Sequence, residues 1–572
     1  MKEKVLRILR SNTLFAFALN AVFLALCVIT TSFTYEGSAD FYNSVRICRD
    51  HLYVNSDINY LLASLIGTLQ YAFPGINCFV LFEVLASYAA FVSVTFVFAE
   101  KYNKRKSFVF ATLLNIMFAL HHYTNVDSTR TAALLCAAGF LLMLLAIYNK
   151  RYSLSCWVGV IEIIFGSFLN IAYFFIALGF GVAFYFGDMI AKKKYRLPFR
   201  KFYWYSRPFM LMFLLATVLS LGLHQFSYTV NHATEESGNY YEYSMIKNSV
   251  KTLPFPGLSD HEEEFEEAGI DKVDYEMLKY GYYDADGPLN TEALKAVHNI
   301  QLEEKPVNLG NTLYSVFSDN YDEIMHFGRS IIVISVYLIV SVLFILYHKN
   351  RFSFFPLFYM LAGYISSFVL RFFYNDSSNV TYGVWLFMIM MLFNSFNFEM
   401  HRRQKPASAI RRHNGYLIGS CSVIAALAAL NGILYYYNRT EPPEKNSSRF
   451  LFSELDRNPD CYYVMDPQTK ESFIKTSENY LHPMWGFKED YLSNLDDFGY
   501  LHNDEALRRR FPQNQNIYHN VLTGRKVFVI DNGVTFRKER YFTKHYSSDG
   551  KRAEYEPAPS PNGFSIYKVT LS

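Results

Sequence analysis

The chain has 572 residues, of which 51% are hydrophobic, 18% aromatic and only 18% charged, with 53 Phe and 45 Tyr. A mean hydropathy of +0.06 excludes a chain made of membrane spans alone, while the apolar and aromatic content defeats a soluble reading, so the mixture points to a membrane protein with large aqueous parts. The formal charge of +3 excludes little; where the Lys and Arg lie carries the information.

In chain order, Met1 to Arg10 is basic and Leu14 to Phe33 is apolar over about 20 residues, enough to cross ~30 Å of hydrocarbon. With no small-residue cleavage site after it, this reads as an uncleaved signal anchor with its N-terminus in the cytoplasm. The next stretch, 58 to 73, is apolar but short and ends at Pro74-Gly75, which predicts an interfacial or re-entrant helix. Spans 2, 3 and 4 are expected at about 76 to 99, 107 to 121 and 131 to 148. The run 153 to 191 is flanked by basic residues at both ends, so it must hold two spans turning near Ser167 to Asn170.

Span 7, about 206 to 226, opens into a polar loop at 227 to 328. Spans 8, 9, 10 and 11 are expected at about 329 to 348, 352 to 370, 380 to 397 and 416 to 437. The expected fold is therefore an α-helical polytopic membrane protein of about eleven spans, with a large extracytoplasmic loop and an extracytoplasmic C-terminal α/β domain. Its domains would be 1 to 438, including the loop, and 439 to 572. The α/β reading rests on strand-like runs at Cys461 to Met465 and Lys526 to Gly533 with charged helical segments between them. In the loop, Asp260 to Glu267 followed by Ala268-Gly269 reads as a solvated acidic helix ended by glycine.

The seven cysteines are scattered and show no metal-ligand spacing; Cys27, Cys136, Cys156 and Cys421 fall in apolar runs. Cys48 and Cys461 both fall on the expected outer side, where a disulfide is one reading and two free thiols the other. No P-loop, dinucleotide glycine fingerprint, nucleophile elbow or zinc-protease motif is present, and the basic residues form no nucleic-acid surface. No metal site or cofactor is indicated.

The chemistry-bearing candidates lie where span 1 ends. Glu36 and Asp40 are one helical turn apart at the expected outer edge of the bilayer, where Asp40 would act as a general base on an acceptor hydroxyl and Glu36 would assist. Ordinary loop acids are the alternative. Cations fit to hold a phosphate on that side are Arg130, Arg329 and Arg371, each at a span end, because the guanidinium fork binds phosphate oxygens in pairs; snorkelling anchors are the alternative. His121 and His122 are adjacent and read as structural. Glu162 is taken as the one acid deep in an apolar run.

Three segments carry a family likeness: Ser56 to Leu62 through Pro74-Gly75-Ile76-Asn77; Ser128-Thr129-Arg130-Thr131-Ala132-Ala133-Leu134-Leu135 through Gly139; and Leu258 to Leu278. With the layout above, the chain resembles the GT-C superfamily of glycosyltransferases, and more narrowly multi-pass proteins of Gram-positive bacteria related to it. The resemblance implies transfer of a sugar from a polyprenyl-phosphate donor to an envelope glycan or lipid acceptor, in a bilayer and outside the cytoplasm. It implies Asp40 as base, Glu36 beside it, and Arg130, Arg329 and Arg371 on the donor phosphate. The chain departs from the family pattern at Ala39, where related sequences tend to pair a second acid with Asp40. It departs again at Asn170, where they tend to have Arg, and in the turn Tyr374 to Thr381, which lacks their basic residues.

Overall fold

The computed structural model describes residues 11–304 except 32, 36–37, 150–153, 192–195 and 197; 329–396 except 349–350 and 375–378; 445–476; 493–498; and 516–572 except 534, 548–549 and 562. It also describes Met484 and single residues between 310 and 318 and between 419 and 430. The protein is a helical membrane protein that divides into two compact units.

The first unit comprises 1–32, 82–226 and 308–441. Among the described residues six helices are long and apolar enough to cross a membrane: Asn12–Thr30, Cys78–Lys101, Ser128–Ile147, Ile171–Ile190, Ser206–Asn231 and Phe352–Phe372. Leu154–Leu169, Ile334–Leu346 and Gly383–Ser395 are apolar but shorter. The basic-flanked run is two helices, Leu154–Leu169 and Ile171–Ala191, meeting at Asn170. Most of the expected eleventh span, 416 to 437, lies outside the described residues.

Small residues and buried amides hold this unit together. Gly139 and Gly159 each approach the other's backbone carbonyl, and Gly166 sits against Cys136 and the Ala132 carbonyl, so the helices Ser128–Asn149 and Leu154–Leu169 pack at backbone distance. Lipid offers no hydrophobic drive between helices, so close contact of this kind supplies the dispersion that does. Asn20, fully buried in Asn12–Thr30, donates to the carbonyls of Ala16 (2.8 Å) and Phe91 (3.3 Å) and to Thr95 Oγ1 (3.0 Å). It accepts from Asn115 Nδ2 at 2.9 Å.

The second unit comprises 33–81, 227–307 and 442–572. Its centre is a five-stranded sheet of β1 (Tyr462–Met465), β2 (Leu495–Asp497), β3 (Val527–Ile530), β4 (Ala553–Ala558) and β5 (Ile566–Leu571), in spatial order β2-β1-β3-β5-β4. β1 pairs in parallel with β2 and β3, with Tyr463 opposite Leu495 and Phe528; β5 pairs antiparallel with β3 and β4. Side chains alternate between two cores, as the strand's period of two requires. Tyr462, Val464, Val527, Val529 and Val569 enter one core; Tyr463, Met465, Ile530 and Ile566 enter the other.

That alternation explains why the unit is assembled from three distant stretches. The first core is completed by the polar loop, through Tyr243, Phe265, Leu278, Leu294 and Val297. The second is completed by Phe41 and Val45, one turn apart in the segment after the first span, and by Leu451, Leu455 and Phe473. A boundary at 438/439 therefore does not mark the compact units: 227–307 groups with the C-terminal sheet because each supplies half of one hydrophobic core. Within the loop, the acidic helix Glu262–Glu267 ends at Gly269, whose φ of 73° is a left-handed conformation that glycine takes without penalty. The segment 58 to 73 is the helix Tyr60–Ala72, capped by Asn59.

Candidate functional site

Asp40 lies in the short helix Ser38–Ser44, which continues as a wider π turn, Val45–Arg49. Phe41 and Val45 bury this segment against the sheet, which leaves Tyr42 and Arg46, also four apart, on an adjacent face. Asp40 is 6% exposed. Tyr35 donates to Ser44 Oγ at 3.0 Å and accepts from Asn77 Nδ2 at 3.1 Å, while Asn77 also binds Ser44, so side chains pin the helix at its C-terminal end. Burial, and in smaller measure Cys48 and Asp40, raises the Tyr35 phenol well above its ordinary range. Glu36 lies outside the described residues.

The three expected phosphate-binding arginines all belong to the first unit, whereas Asp40 belongs to the second. Arg130 opens Ser128–Asn149 and is engaged by Asp127: its Nε lies 3.2 Å from one carboxylate oxygen and its backbone N–H donates to the other at 3.0 Å. Asp127 thus serves as a helix cap and an ion-pair partner. Arg371 is buried in the last turn of Phe355–Tyr374. Arg329 is the first residue of Arg329–Tyr347, and its side chain lies outside the described residues.

Glu162 is buried in Leu154–Leu169 and accepts from Ser93 Oγ at 2.5 Å. It is not alone among the buried acids of the apolar helices: Glu83 in Cys78–Lys101, 1% exposed, and Asp188 in Ile171–Ala191 are buried as well. No group of three or more His, Cys, Asp or Glu able to hold a metal occurs among the described residues. Cys48 and Cys461 carry free thiols.

Sequence reasoning passed over a group of cations in the second unit. Arg46, Lys247 and Lys470 are all buried, and Lys251 is exposed. Arg46 donates to the Val54 carbonyl at 3.0 Å and stacks over Tyr240, with Cζ 4.7 Å from the ring centre. Lys247 and Lys251, one turn apart on Glu235–Thr252, both face the Tyr283 ring, at 5.7 and 5.2 Å. Lys470 lies over Tyr42 at 4.7 Å and pairs with Asp497 at 3.0 Å; Tyr42 donates to the same carboxylate at 2.5 Å. Burial, then Lys251, pushes the Lys247 ammonium well below its ordinary range; Arg46 and Lys470 add to this and Asp57 opposes it. The signal in the sequence was the spacing Tyr240, Tyr243, Lys247, Lys251, which is one helix face.

Of these residues, Lys470 and Tyr42 reach the ends of the parallel strands, through Asp497. Asp497 ends β2, Asp466 follows β1 and Asp531 follows β3. Asp466 accepts from Thr469 N–H at 2.9 Å and pairs with Lys538 at 2.9 Å; Asp531 also pairs with Lys538 and accepts from Gly533 N–H at 2.7 Å. The carboxyl ends of parallel strands are where open α/β sheets take their ligands. Scans against family models match none, and comparisons with curated proteins and with solved structures return no match.

Proposed function

We propose that the chain is a multi-pass enzyme of the cell membrane that transfers a sugar from a polyprenyl-phosphate donor to an extracytoplasmic glycan or lipid acceptor. In this reading about eleven helices form a GT-C-like bundle, the N-terminus is cytoplasmic and the second unit is extracytoplasmic. The observation that carries it is Asp40: a carboxylate buried in the aqueous unit, on the helix that directly follows the first apolar span. A general base needs such placement, shielded from water but next to where a lipid-linked donor emerges, and contributes about 10²–10⁴-fold. Arg130, Arg329 and Arg371 would hold the donor phosphate from the membrane side, and Glu36 would support Asp40.

A second reading, a non-catalytic scaffold that handles lipid-linked glycans in the cell envelope, is favoured by one contact: the ion pair of Arg130 with Asp127 gives that arginine a structural task. Replacing Asp40 with Asn and following transfer from membranes loaded with labelled polyprenyl-phosphate sugar separates the two. Loss of transfer by at least 100-fold, with unchanged protein level and melting, is the expected result. Undiminished transfer removes Asp40 from the chemistry; no transfer by the wild type supports the scaffold.

A further inference from the structure

We propose that the helix Tyr60–Ala72 lies on the lipid surface, with Leu65, Leu69 and Phe73 sunk among the acyl chains, and so holds the second unit against the bilayer. Its inner face is settled: Leu62, Ala63, Ile66, Gly67 and Gln70 are buried, and the helix packs on the turn Val45–Arg49. Its outer face exposes Leu65, Thr68, Leu69, Tyr71, Ala72 and Phe73, and residues 58–82 contain no Asp, Glu, Lys, Arg or His at all. Thr68 does not make that face polar, since its hydroxyl donates to the Ser64 carbonyl of the same helix at 2.7 Å. Other surface helices of this unit do the opposite: Glu235–Thr252 exposes Glu235, Glu236 and Glu242, and Thr291–Glu304 exposes Glu292, Lys295 and Glu303. A helix packed on protein along one face and apolar along the other has no side suited to water.

Chain connectivity names the occupant. Only Pro74-Gly75-Ile76-Asn77 separates Phe73 from Cys78, where the apolar, membrane-length helix Cys78–Lys101 begins, so the exposed face ends at most ~18 Å of chain from the end of a span. Phe73, Pro74 and Gly75 carry the exposed apolar surface on toward that span. At 13 residues, ~20 Å, the helix is too short to cross ~30 Å of hydrocarbon, which leaves the head-group region. Tyr71 and Phe73 are of the aromatic kind that favours this depth, and His51 holds the Tyr71 ring by stacking on it at 4.2 Å. A helix lying in a lipid surface turns a polar face away from the lipid; here the turn Val45–Arg49 covers that face. The same turn continues the helix that bears Asp40, so Asp40 is carried about one helix diameter, ~10 Å, from the lipid. The inference rests on the chain being a membrane protein and not on the transferase reading.

The test uses the full chain in lipid nanodiscs containing phospholipids that carry a photoactivated diazirine either next to the glycerol or at the acyl terminus, with adducts located by mass spectrometry. The helix Ser206–Asn231, exposed at Met210, Leu214 and Val218, should take adducts from both probes and serves as the control. The glycerol-proximal probe should label Leu65, Leu69 and Phe73 and spare Leu62 and Ile66, while the terminal probe should leave the whole helix unlabelled. Leu65→Glu combined with Leu69→Glu, both at exposed positions, should lower labelling of Phe73 by about threefold or more, with melting and the control unchanged. The proposal is overturned if the control is labelled and the helix is not, which gives the face to water or to a protein partner. Labelling by the terminal probe overturns it too, by making the helix re-entrant, as does undiminished labelling of the double variant; should that variant fail to fold, the wild-type pattern decides alone. Asp40→Asn is expected to label as the wild type does, so a failed transfer assay and a failed labelling assay remain separate results.

Discussion

Replacing Lys538 with Met tests how the sheet of the second unit tolerates charge. Lys538 is 8% exposed in its side chain, and it joins Asp466 and Asp531, whose side chains are 2% and 0% exposed. Methionine keeps the stem's volume and removes only the charge and its donors. Asp466 would keep the Thr469 N–H and hydroxyl and the Tyr282 hydroxyl, while Asp531 would keep the Gly533 N–H. Leaving a buried carboxylate without its cation costs about 3–5 kcal/mol. At about 2–4 °C per kcal/mol for a unit of this size, the melting temperature should fall by roughly 6–20 °C at pH 7.

The two carboxylates differ, and the difference sharpens the test. Burial works against Asp466, but Lys538 and its hydrogen bonds hold it below the ordinary range; burial and then the Asp466 charge raise Asp531. Asp531→Asn should therefore cost less than Asp466→Asn, and adding Asp531→Asn to Lys538→Met should recover part of the loss. In the wild type, the stability owed to Asp466 is present above its unfolded pKa and is lost as pH falls through its lowered folded value. In Lys538→Met both carboxylates are raised, so that chain gains stability as pH falls and the two melting curves should converge in acid. A Lys538→Met loss below about 1 kcal/mol at pH 7, measured by circular dichroism melts in detergent, would refute the reasoning.

Gly139→Ala would place a methyl against the Gly159 carbonyl, with Ile163 Cγ1 at 2.9 Å and Glu162 Cβ at 3.1 Å. A backbone carbonyl cannot rotate aside, so the helix pair must separate; a loss of about 1–3 kcal/mol in detergent unfolding is expected. Gly222→Ala meets nothing within 4 Å and should be neutral or stabilising by up to about 1 kcal/mol, which makes it the control. Asp284, bound by Tyr541 (3.0 Å), Tyr546 and Asn516 (3.3 Å), is raised above the ordinary carboxylate range by burial. The folded state then binds more protons than the unfolded one, so this group's contribution to stability falls as pH rises from the unfolded pKa through the folded one. Asp284→Asn should flatten that slope in a melting-temperature profile; an unchanged slope would count against the assignment.

Much of the local structure was legible because it is written at short range. The run 153 to 191 announces two helices through its length and basic flanks, and they meet at Asn170. The strand-like runs at Cys461 to Met465 and Lys526 to Gly533 coincide with β1 and β3. The acidic helix stops at Gly269, where chain geometry requires a positive φ. The buried cations of the second unit were less legible: scarcity of charge on span ends drew attention to Arg130, Arg329 and Arg371, whereas Arg46, Lys247 and Lys470 sit in segments that look like ordinary polar loops.

The sequence by itself determined many of the helices and two of the strands, because periodicity, apolar length and capping residues act within a dozen residues. Only the tertiary structure decided that 33–81, 227–307 and 442–572 form one unit, since the two faces of one sheet demand hydrophobic partners that no single stretch supplies. The same closure decided the fate of the charges. Arg130 is claimed by Asp127 three residues away, while Lys247 becomes a buried ammonium among other cations that lie about 200 residues from it in either direction.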